Sequence, residues 1–559
     1  MAQRLIRLVY GEVNGLHKAA SILALFALAS QFLGLIRDRL LAHTFGASGT
    51  LDLYYAAFKI PDLLYVLFAS VLSVYVLLPF VTKAKAETGE KEAKSVLDQM
   101  FTLFLVCYVV VAAALFVLMP WCLKLIYPGF TPEAMTELVS LTRLLLLQPF
   151  LLGLSSLVAV VTQLAQKFVL YALSPLLYNL GIIAGVLWLY PKWGLSGLIA
   201  GVVLGAALHL LIQMPVWWGS TLRFSFDFRF NFKLLKQIFL VAVPRAVTLS
   251  LHQVLLLIFF GLASLMAAGS ISAFQFAFNL QSVPLAIIGM SYSVAAFPVL
   301  ADLLARQKLS EVVLLLTTAV RHIIFWSLPV IALIIVVRAQ IVRVLLGSGE
   351  FSWNDTRLTA ALLAVFAVGI LAQSLLLLLV RAFYAAGNTA TPLKVALFSA
   401  GGSLLSAGAL LTWFEYSAGF QGMIASLFRL EAVTGTEVII LAMAFTIGVI
   451  IEISSLLYLS ARRFGGNWLT LSRPAAQALL AALAAGSTAY VLLQFMAGSV
   501  NQETFIGVLI QGAVAFVGGL AVATLTYYLT NSSELREVVQ AVKTKLQRNT
   551  LVTPPSEPL

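Results

Sequence analysis

Long apolar stretches separated by short polar ones recur along almost the whole 559-residue chain. A helix needs about 20 apolar residues to cross the hydrocarbon core of a bilayer. The pattern therefore predicts an all-α polytopic membrane protein with about fourteen transmembrane helices. The predicted spans are 19–43, 51–82, 97–120, 134–165, 169–190, 194–218, 237–266, 271–301, 311–337, 358–386, 395–414, 437–461, 474–496 and 504–529.

Two spans share a short pattern that indicates an internal repeat. Phe58 precedes Pro79 by 21 residues in the second span, and Phe278 precedes Pro298 by 20 residues in the eighth. Because these spans are six apart, we predict two six-helix lobes related by pseudo-twofold symmetry, with the substrate site between them. Chance similarity among apolar helices is the alternative. The predicted parts are an N-terminal lobe 1–220, a linker 221–236, a C-terminal lobe 237–465, two further spans in 466–530 and a cytoplasmic tail 531–559.

Composition agrees with this class and excludes several others. Hydrophobic residues make up 61% of the chain and charged residues 10%, whereas soluble domains carry about 25% charged residues. The only cysteines, Cys107 and Cys122, rule out a disulfide framework and a cysteine-rich metal site. The net charge of +12 reflects basic loops. No basic-aromatic RNA motif is present, so we expect no nucleic-acid partner.

Enzyme motifs are missing from the sequence. It contains no Walker loop, no GxSxG elbow and no HExxH, and its five histidines lack ligand spacing. We therefore expect a protein that is not an enzyme, with no catalytic residue, no metal site and no cofactor. Active transport would then draw on a coupling ion, the membrane potential or a partner.

Lysine and arginine are distributed very unevenly between the predicted loops. With the N-terminus inside, 22 of the 35 lie in cytoplasmic loops and termini, six in outer loops and seven within spans. This asymmetry predicts that both termini are cytoplasmic.

A charged stretch from Phe32 to Leu64 lies inside the first two spans. Charges at such depth cost at least about 2.5–3.5 kcal/mol each, so they normally face a bundle interior or a wet cavity. Snorkelling from helix ends is the alternative. Arg37 and Asp38 point about 100° apart on a helix, so we expect no simple ion pair between them. Pro61 predicts a kink. The charged residues are Arg37, Asp38, Arg39, Asp52, Lys59 and Asp62.

Span seven offers a second polar feature. Arg245, Thr248 and His252 fall on one helical face, and Gln253 lies at its edge. A histidine in an apolar helix is often a packing residue, and an arginine near a helix end can snorkel. The same alternative applies to Arg381, near the cytoplasmic end of span ten.

Several motifs resemble those of the lipid II flippases, the MviN/MurJ family, in the superfamily that includes the multidrug and toxin extrusion (MATE) exporters. They are GLIRD, LDLYYAAFKIPDLL and LLPFV, followed by Ser174–Gly185, Gly197–Pro215 and Arg381–Ala396. The resemblance implies a two-lobed, twelve-helix core plus two helices, and a cationic cavity for a lipid diphosphate. The family's charges at Arg37, Asp38, Asp52 and Lys59 are kept. Three family arginines are replaced, by Gln31, Tyr65 and Asn279, and an acidic residue is replaced by Ser70.

The leading hypothesis is a flippase that moves undecaprenyl-diphosphate-linked peptidoglycan precursor (lipid II) from inner to outer leaflet by alternating access. Its partners would be this lipid-linked anionic substrate, the lipid bilayer of the bacterial inner membrane and cell-wall synthesis proteins. The alternatives are an exporter of another lipid-linked glycan, a MATE-like ion-coupled exporter, and a scaffold for wall-synthesis enzymes. Arg245 is expected to compensate for the lost arginines. The predicted substrate-binding residues are Arg37, Asp38, Asp52, Lys59, Arg245, His252, Gln253, Asn279, Gln31, Tyr65 and Arg381.

The linker segment 222–230, LRFSFDFRF, alternates polar and aromatic residues. A two-residue period is typical of extended chain. We expect an interfacial strip whose Phe side chains dip into lipid while Arg223 and Arg229 meet anionic headgroups.

The topology is directly testable. Reporter fusions after Lys94, Lys236 and Arg463 should report a cytoplasmic location, and fusions after Ser48 and Gln502 an external one. Two or more reversed sites would refute the fourteen-span topology.

Overall fold

The computed structural model describes residues 16–431, 433–465, 471–502 and 504–550, without the side chains of 16–21, 244–245, 542 and 545–550. All regular elements in these ranges are helices, which confirms the predicted all-α class. The first ten are α1 (Leu16–Phe45), α2 (Gly49–Leu72), α3 (Val74–Glu87), α4 (Glu90–Ile126), α5 (Pro132–Leu145), α6 (Leu147–Leu164), α7 (Phe168–Ala184), α8 (Tyr190–Leu211), α9 (Met214–Gly219) and α10 (Phe232–Ala263). The next ten are α11 (Ser270–Leu285), α12 (Ser291–Ala305), α13 (Leu309–Leu346), α14 (Trp353–Ala385), α15 (Ala390–Tyr416), α16 (Ala418–Phe428), α17 (Val438–Phe464), α18 (Ser472–Ala497), α19 (Phe505–Leu529) and α20 (Ser533–Thr550).

Within the described ranges, twelve helical stretches are long and apolar enough to cross a membrane. One of them, Phe168–Gly219, has 52 residues and leaves helical geometry at Gly194, so it contains the fifth and sixth predicted spans. The first predicted span falls on α1, which is outside those twelve. The structure therefore accommodates all fourteen predicted spans.

The second predicted span contains a break that was not predicted. Helix α2 continues through Pro61. The chain leaves helical geometry at Ser73, where ψ is 146°, and α3 begins at the next residue. A proline removes one backbone hydrogen bond, and the rest of α2 is sufficient to keep the helix intact there.

The chain forms two compact units, each described here by itself. Unit one comprises Met1–Ala277, Leu345–Thr359 and Thr389–Ala444, and unit two comprises Phe278–Val344, Ala360–Asn388 and Phe445–Leu559. The predicted lobes at 1–220 and 237–465 stay a prediction.

In unit one, α7 and α8 approach each other at their backbones. A Cβ atom built on Gly201 would lie 2.3 Å from the Gly185 Cα, and one built on Gly205 would lie 2.4 Å from the Tyr178 carbonyl oxygen. Small residues at such crossings allow membrane helices to gain close van der Waals packing. This contact fixes the position of α7, which carries Asn179 into the candidate site.

In unit two, the α18–α19 hairpin and the start of α20 lie along α13. The Tyr527 ring stacks on Phe325 with centroids 4.2 Å apart, and the Gln340 amide donates to Gln511 at 3.4 Å. The Arg321 guanidinium pairs with the buried Glu534 carboxylate at 2.7 Å. Burial raises the pKa of Glu534, but hydrogen bonds from Ser532 and Arg321 outweigh it, so the pKa lies below its usual value. The acidic first turn of α20 is therefore anchored to α13.

The α7–α8 contact predicts a position-specific response to one added methyl group. Gly201→Ala should lower the melting temperature of the detergent-purified protein, because its Cβ has no room against Gly185. Gly401→Ala is the matched control, since a Cβ there meets nothing within 4 Å. The control should be neutral or slightly stabilising, because alanine favours helix over glycine by about 0.5–1 kcal/mol. Equal melting temperatures for the two variants would contradict this packing.

Candidate substrate-binding site

Arg37 and Asp38 form a partly buried ion pair in α1. The Arg37 Nε and Nη2 atoms donate to Asp38 Oδ1 at 2.9 Å and 2.8 Å. Asp38 is 3% exposed, whereas the Arg37 side chain is 23% exposed. The expectation that these neighbours do not pair was therefore wrong. Their Cβ atoms diverge, but the long arginine side chain curls around the helix until its guanidinium reaches the adjacent carboxylate.

Asn179 on α7 fixes the other side of the guanidinium. Arg37 Nη1 donates to Asn179 Oδ1 at 3.1 Å. The Asn179 amide in turn donates to the Pro175 carbonyl at 3.1 Å and to Ser30 Oγ at 3.4 Å. The sequence interpretation missed this role. The available signal was a lone amide in the apolar SPLLYNLG motif.

Lys59 on α2 has a different environment. Its Nζ donates to Gln275 Oε1 at 3.1 Å and lies 3.8 Å from the centroid of the Phe260 ring. Lys59 is 6% exposed, and both of these partners are neutral. A cation over an aromatic face is stabilised without losing its charge. The Asp62 carboxylate acts on Lys59 electrostatically.

Tyrosine and glutamine side chains lie close to these charged groups. Tyr54 lies within electrostatic range of both Arg37 and Asp62. The Gln148 amide donates to the Tyr178 hydroxyl at 3.2 Å. The Tyr55 hydroxyl and Gln148 Oε1 are buried and have no hydrogen-bond partner among the described residues. Buried polar atoms are normally paired, so these two are candidates for ligand contacts.

Asp52 lies at the start of α2 and does not contact these cations through a hydrogen bond. Its Oδ2 accepts from the Gly269 amide at 2.7 Å. Its Oδ1 accepts from the Ser272 amide at 2.7 Å and from the Ser272 hydroxyl at 2.6 Å. These bonds satisfy free amides at the start of α11, where a negative charge is stabilising. Asp52 therefore ties α2 to α11.

The remaining predicted residues are dispersed. Gln31 is exposed on α1, and Tyr65 is half-buried on α2. On α10, His252 is exposed and lies within electrostatic range of Lys59, and Gln253 is half-buried.

Three further predicted residues lie elsewhere. The Arg245 side chain is outside the described residues. Asn279 and Arg381 belong to unit two, where Arg381 Nη2 donates to Met290 Sδ at 3.1 Å. Of the predicted set, unit one thus joins Arg37 to Asp38, and Asn179 is an added partner. Lys59 forms a separate group with the added residues Gln275 and Phe260.

The sequence of this chain is similar to the sequences of known proteins. Residues 41–418 match the family model described as "Lipid II flippase MurJ". A protein of Rickettsia prowazekii named "Probable lipid II flippase MurJ" is 27% identical over 399 residues, which cover 69% of this chain and 76% of that protein. A protein of Burkholderia cenocepacia named "Lipid II flippase MurJ" is 25% identical over 380 residues, covering 66% and 74%.

Two solved structures share the fold of this chain. "Lipid II flippase MurJ, inward closed conformation" has a TM-score of 0.70 at 20% identity and covers 90% of this chain and 98% of that one. An inward-facing multidrug resistance MATE family transporter has a TM-score of 0.62 at 14% identity, covering 78% and 94%. Because the family model matches more than half of the residues, this chain belongs to the MurJ family of lipid II flippases.

Proposed function

We propose that the protein moves lipid II from the inner to the outer leaflet of the bacterial inner membrane by alternating access. The observation that carries this proposal is a pair of cations inside predicted membrane spans, the partly buried Arg37 on α1 and the buried Lys59 on α2. Cations at this depth mark a substrate route. Family membership supplies the substrate class.

The geometry supports binding of the diphosphate without dismantling the cluster. A guanidinium has five N–H donors, and Arg37 uses three of them on Asp38 and Asn179. Lys59 has three donors, and one of them is used on Gln275. The remaining donors can bind phosphate oxygens, while the undecaprenyl tail stays in the bilayer. The unpartnered Tyr55 hydroxyl adds a further donor.

A MATE-like exporter of organic cations is the second candidate, and the site favours it less. Such a substrate needs an available carboxylate. Asp38 is already bonded to Arg37, and Asp52 accepts three hydrogen bonds at the start of α11. The third carboxylate, Asp62, interacts electrostatically with Lys59. The Lys59 ammonium, in contrast, directly contacts the neutral Gln275 amide and Phe260 ring. An anionic substrate therefore fits the charge distribution better.

Asp52 is proposed to act as a gate rather than as a substrate ligand. It joins the N-terminal ends of α2 and α11 within unit one. With both termini in the cytoplasm, as the charge distribution predicts, these ends face outward. Breaking this carboxylate–amide contact would be required to separate them and release substrate on that side. A coupling ion or the membrane potential would drive the cycle, and cell-wall synthesis proteins would take the product.

Depletion rescue tests the function. The protein would be expressed in a bacterium depleted of its own lipid II flippase, and lipid II in the outer leaflet would be measured. Restored growth with restored outer-leaflet precursor is the expected result. If the well-expressed, membrane-inserted protein restores neither growth nor outer-leaflet precursor, the result would favour an exporter of another lipid-linked glycan.

The cation requirement is tested with a charge-neutral pair. Arg37→Gln together with Asp38→Asn keeps a hydrogen-bonding pair while removing both charges. No unpaired carboxylate is then left buried in the helix. Hydrogen bonds to charged groups contribute about 1.5–3 kcal/mol. Flipping in proteoliposomes should therefore fall by about tenfold or more. Arg306→Gln, on an exposed ion pair with Asp302, is the control and should flip normally. Normal flipping by the double variant would exclude Arg37 from binding.

The gate is tested through accessibility. In a background without Cys107 and Cys122, a cysteine replacing the buried Ala56 reports opening to a water-soluble thiol reagent. Asp52→Asn places an amide donor against backbone amides, so the hydrogen bonds to a charged carboxylate are lost. Labelling of the cysteine at position 56 should therefore be faster by about tenfold or more. Asp355→Asn is the matched control, because Asp355 also accepts from a backbone amide at a helix start, that of Ser352. Labelling as slow as in the unsubstituted background would show that Asp52 does not hold the gate.

A further inference from the structure

The segment between α9 and α10 is bound along α4 and is here called the strap, residues 222–230. Its Ser225 amide donates to Asp98 Oδ1, and its Asp227 amide donates to Thr102 Oγ1 at 2.9 Å. Four residues of α-helix rise about 6 Å, and two residues of extended chain span about 6.6 Å. The two spacings match, so alternate strap amides meet successive turns of one helix face.

Two more contacts hold the strap against α4. The Asn231 amide, just after the strap, donates to Gln99 Oε1 at 2.7 Å. The Lys94 ammonium bonds both Asp98 and the Ser225 hydroxyl, at 2.7 Å and 3.0 Å. The α4 residues that hold the strap are buried, which excludes a loosely attached loop. They are Asp98, Gln99 and Thr102, with 7%, 3% and 0% exposure.

The aromatic side chains of the strap differ in their exposure. Phe224 is buried, with its ring centroid 4.9 Å from that of Phe101 and 5.2 Å from that of Trp217. Phe226 and Phe228 are 59% and 67% exposed, and their rings stack at 6.3 Å with an interplanar angle of 7°. The protein thus holds two large aromatic rings outward on a fixed backbone.

Positive charge surrounds these rings. Arg223 in the strap and Lys233 and Lys236 in α10 are exposed, and so is Arg229. The one acidic residue in the strap is Asp227. The Arg229 amide, which donates to its carboxylate, lowers the pKa of Asp227, so that carboxyl stays ionised and offsets one of these charges.

We propose that the strap is a binding surface for anionic phospholipid headgroups, with Phe226 and Phe228 inserted at the boundary of the acyl chains. Aromatic rings flanked by basic side chains suit the membrane–water interface, where the rings lie at the headgroup level and the cations meet lipid phosphates. The strap leads directly into α10, whose Ala246–Ala263 portion is apolar enough to cross the membrane. This continuity with a membrane helix favours lipid over an acidic peptide as the occupant.

The test measures lipid binding separately from flipping. Native mass spectrometry would count phosphatidylglycerol and phosphatidylcholine retained by the purified full-length protein. Arg223→Gln with Arg229→Gln should weaken retention of phosphatidylglycerol by about tenfold or more, and leave phosphatidylcholine retention unchanged. Phe226→Ser with Phe228→Ser should weaken retention of both lipids, because the rings contact acyl chains of either. Melting temperatures would establish that each variant is folded.

The matched control is Lys83→Gln with Lys85→Gln in α3. It removes the same charge from lysines that pair with the nearby acids Glu87 and Glu90, and it should retain phosphatidylglycerol as the unsubstituted protein does. Equal losses in this control and in the arginine variant would mean a general charge effect and would overturn the proposal. Full retention of phosphatidylglycerol by the folded arginine variant would overturn it as well.

Discussion

Charges inside a membrane must be satisfied by the protein itself, and the candidate site depends on how Arg37 meets this constraint. Its guanidinium is held by Asp38 on its own helix and by Asn179 on α7. Lys59 meets the same constraint with an amide and an aromatic ring. The two environments differ. The Arg37 guanidinium contacts a carboxylate, whereas the Lys59 ammonium directly contacts neutral groups. Both cations keep unused N–H donors, which we propose bind the lipid diphosphate.

These arrangements need close helix packing to be maintained. Asn179 reaches Arg37 only if α7 is correctly placed, and glycines at 181, 185, 201 and 205 bring α7 into backbone contact with α8. Asp52 fixes the start of α2, the helix that also carries Lys59, to the start of α11, the helix that carries Gln275. Each cation is therefore positioned by contacts that lie outside its own helix. A substitution at these supporting positions would disturb binding without touching the substrate.

The sequence predicts the helices much better than the contacts. Apolar length alone identifies the spans, because a bilayer demands it of each helix separately. Charged positions within those spans also stand out singly, as Arg37 and Lys59 do. Their partners do not, since Asn179 and Gln275 lie 142 and 216 residues away along the chain. The expected separation of Arg37 from Asp38 was wrong because helical angles describe Cβ directions and not the reach of a long side chain. Asp52 was predicted among the substrate ligands, and only the tertiary contact with α11 indicates a gate.

In the proposed function, Arg37 and Lys59 bind the diphosphate of the lipid-linked substrate. The most direct measurement is competition for lipid II binding by the purified protein, with undecaprenyl diphosphate and the neutral alcohol undecaprenol as competitors. The account predicts that undecaprenyl diphosphate displaces lipid II at comparable concentration, whereas undecaprenol, with the same tail and no phosphate, does not. Equal displacement by the two competitors would contradict it, because recognition would then lie in the lipid tail.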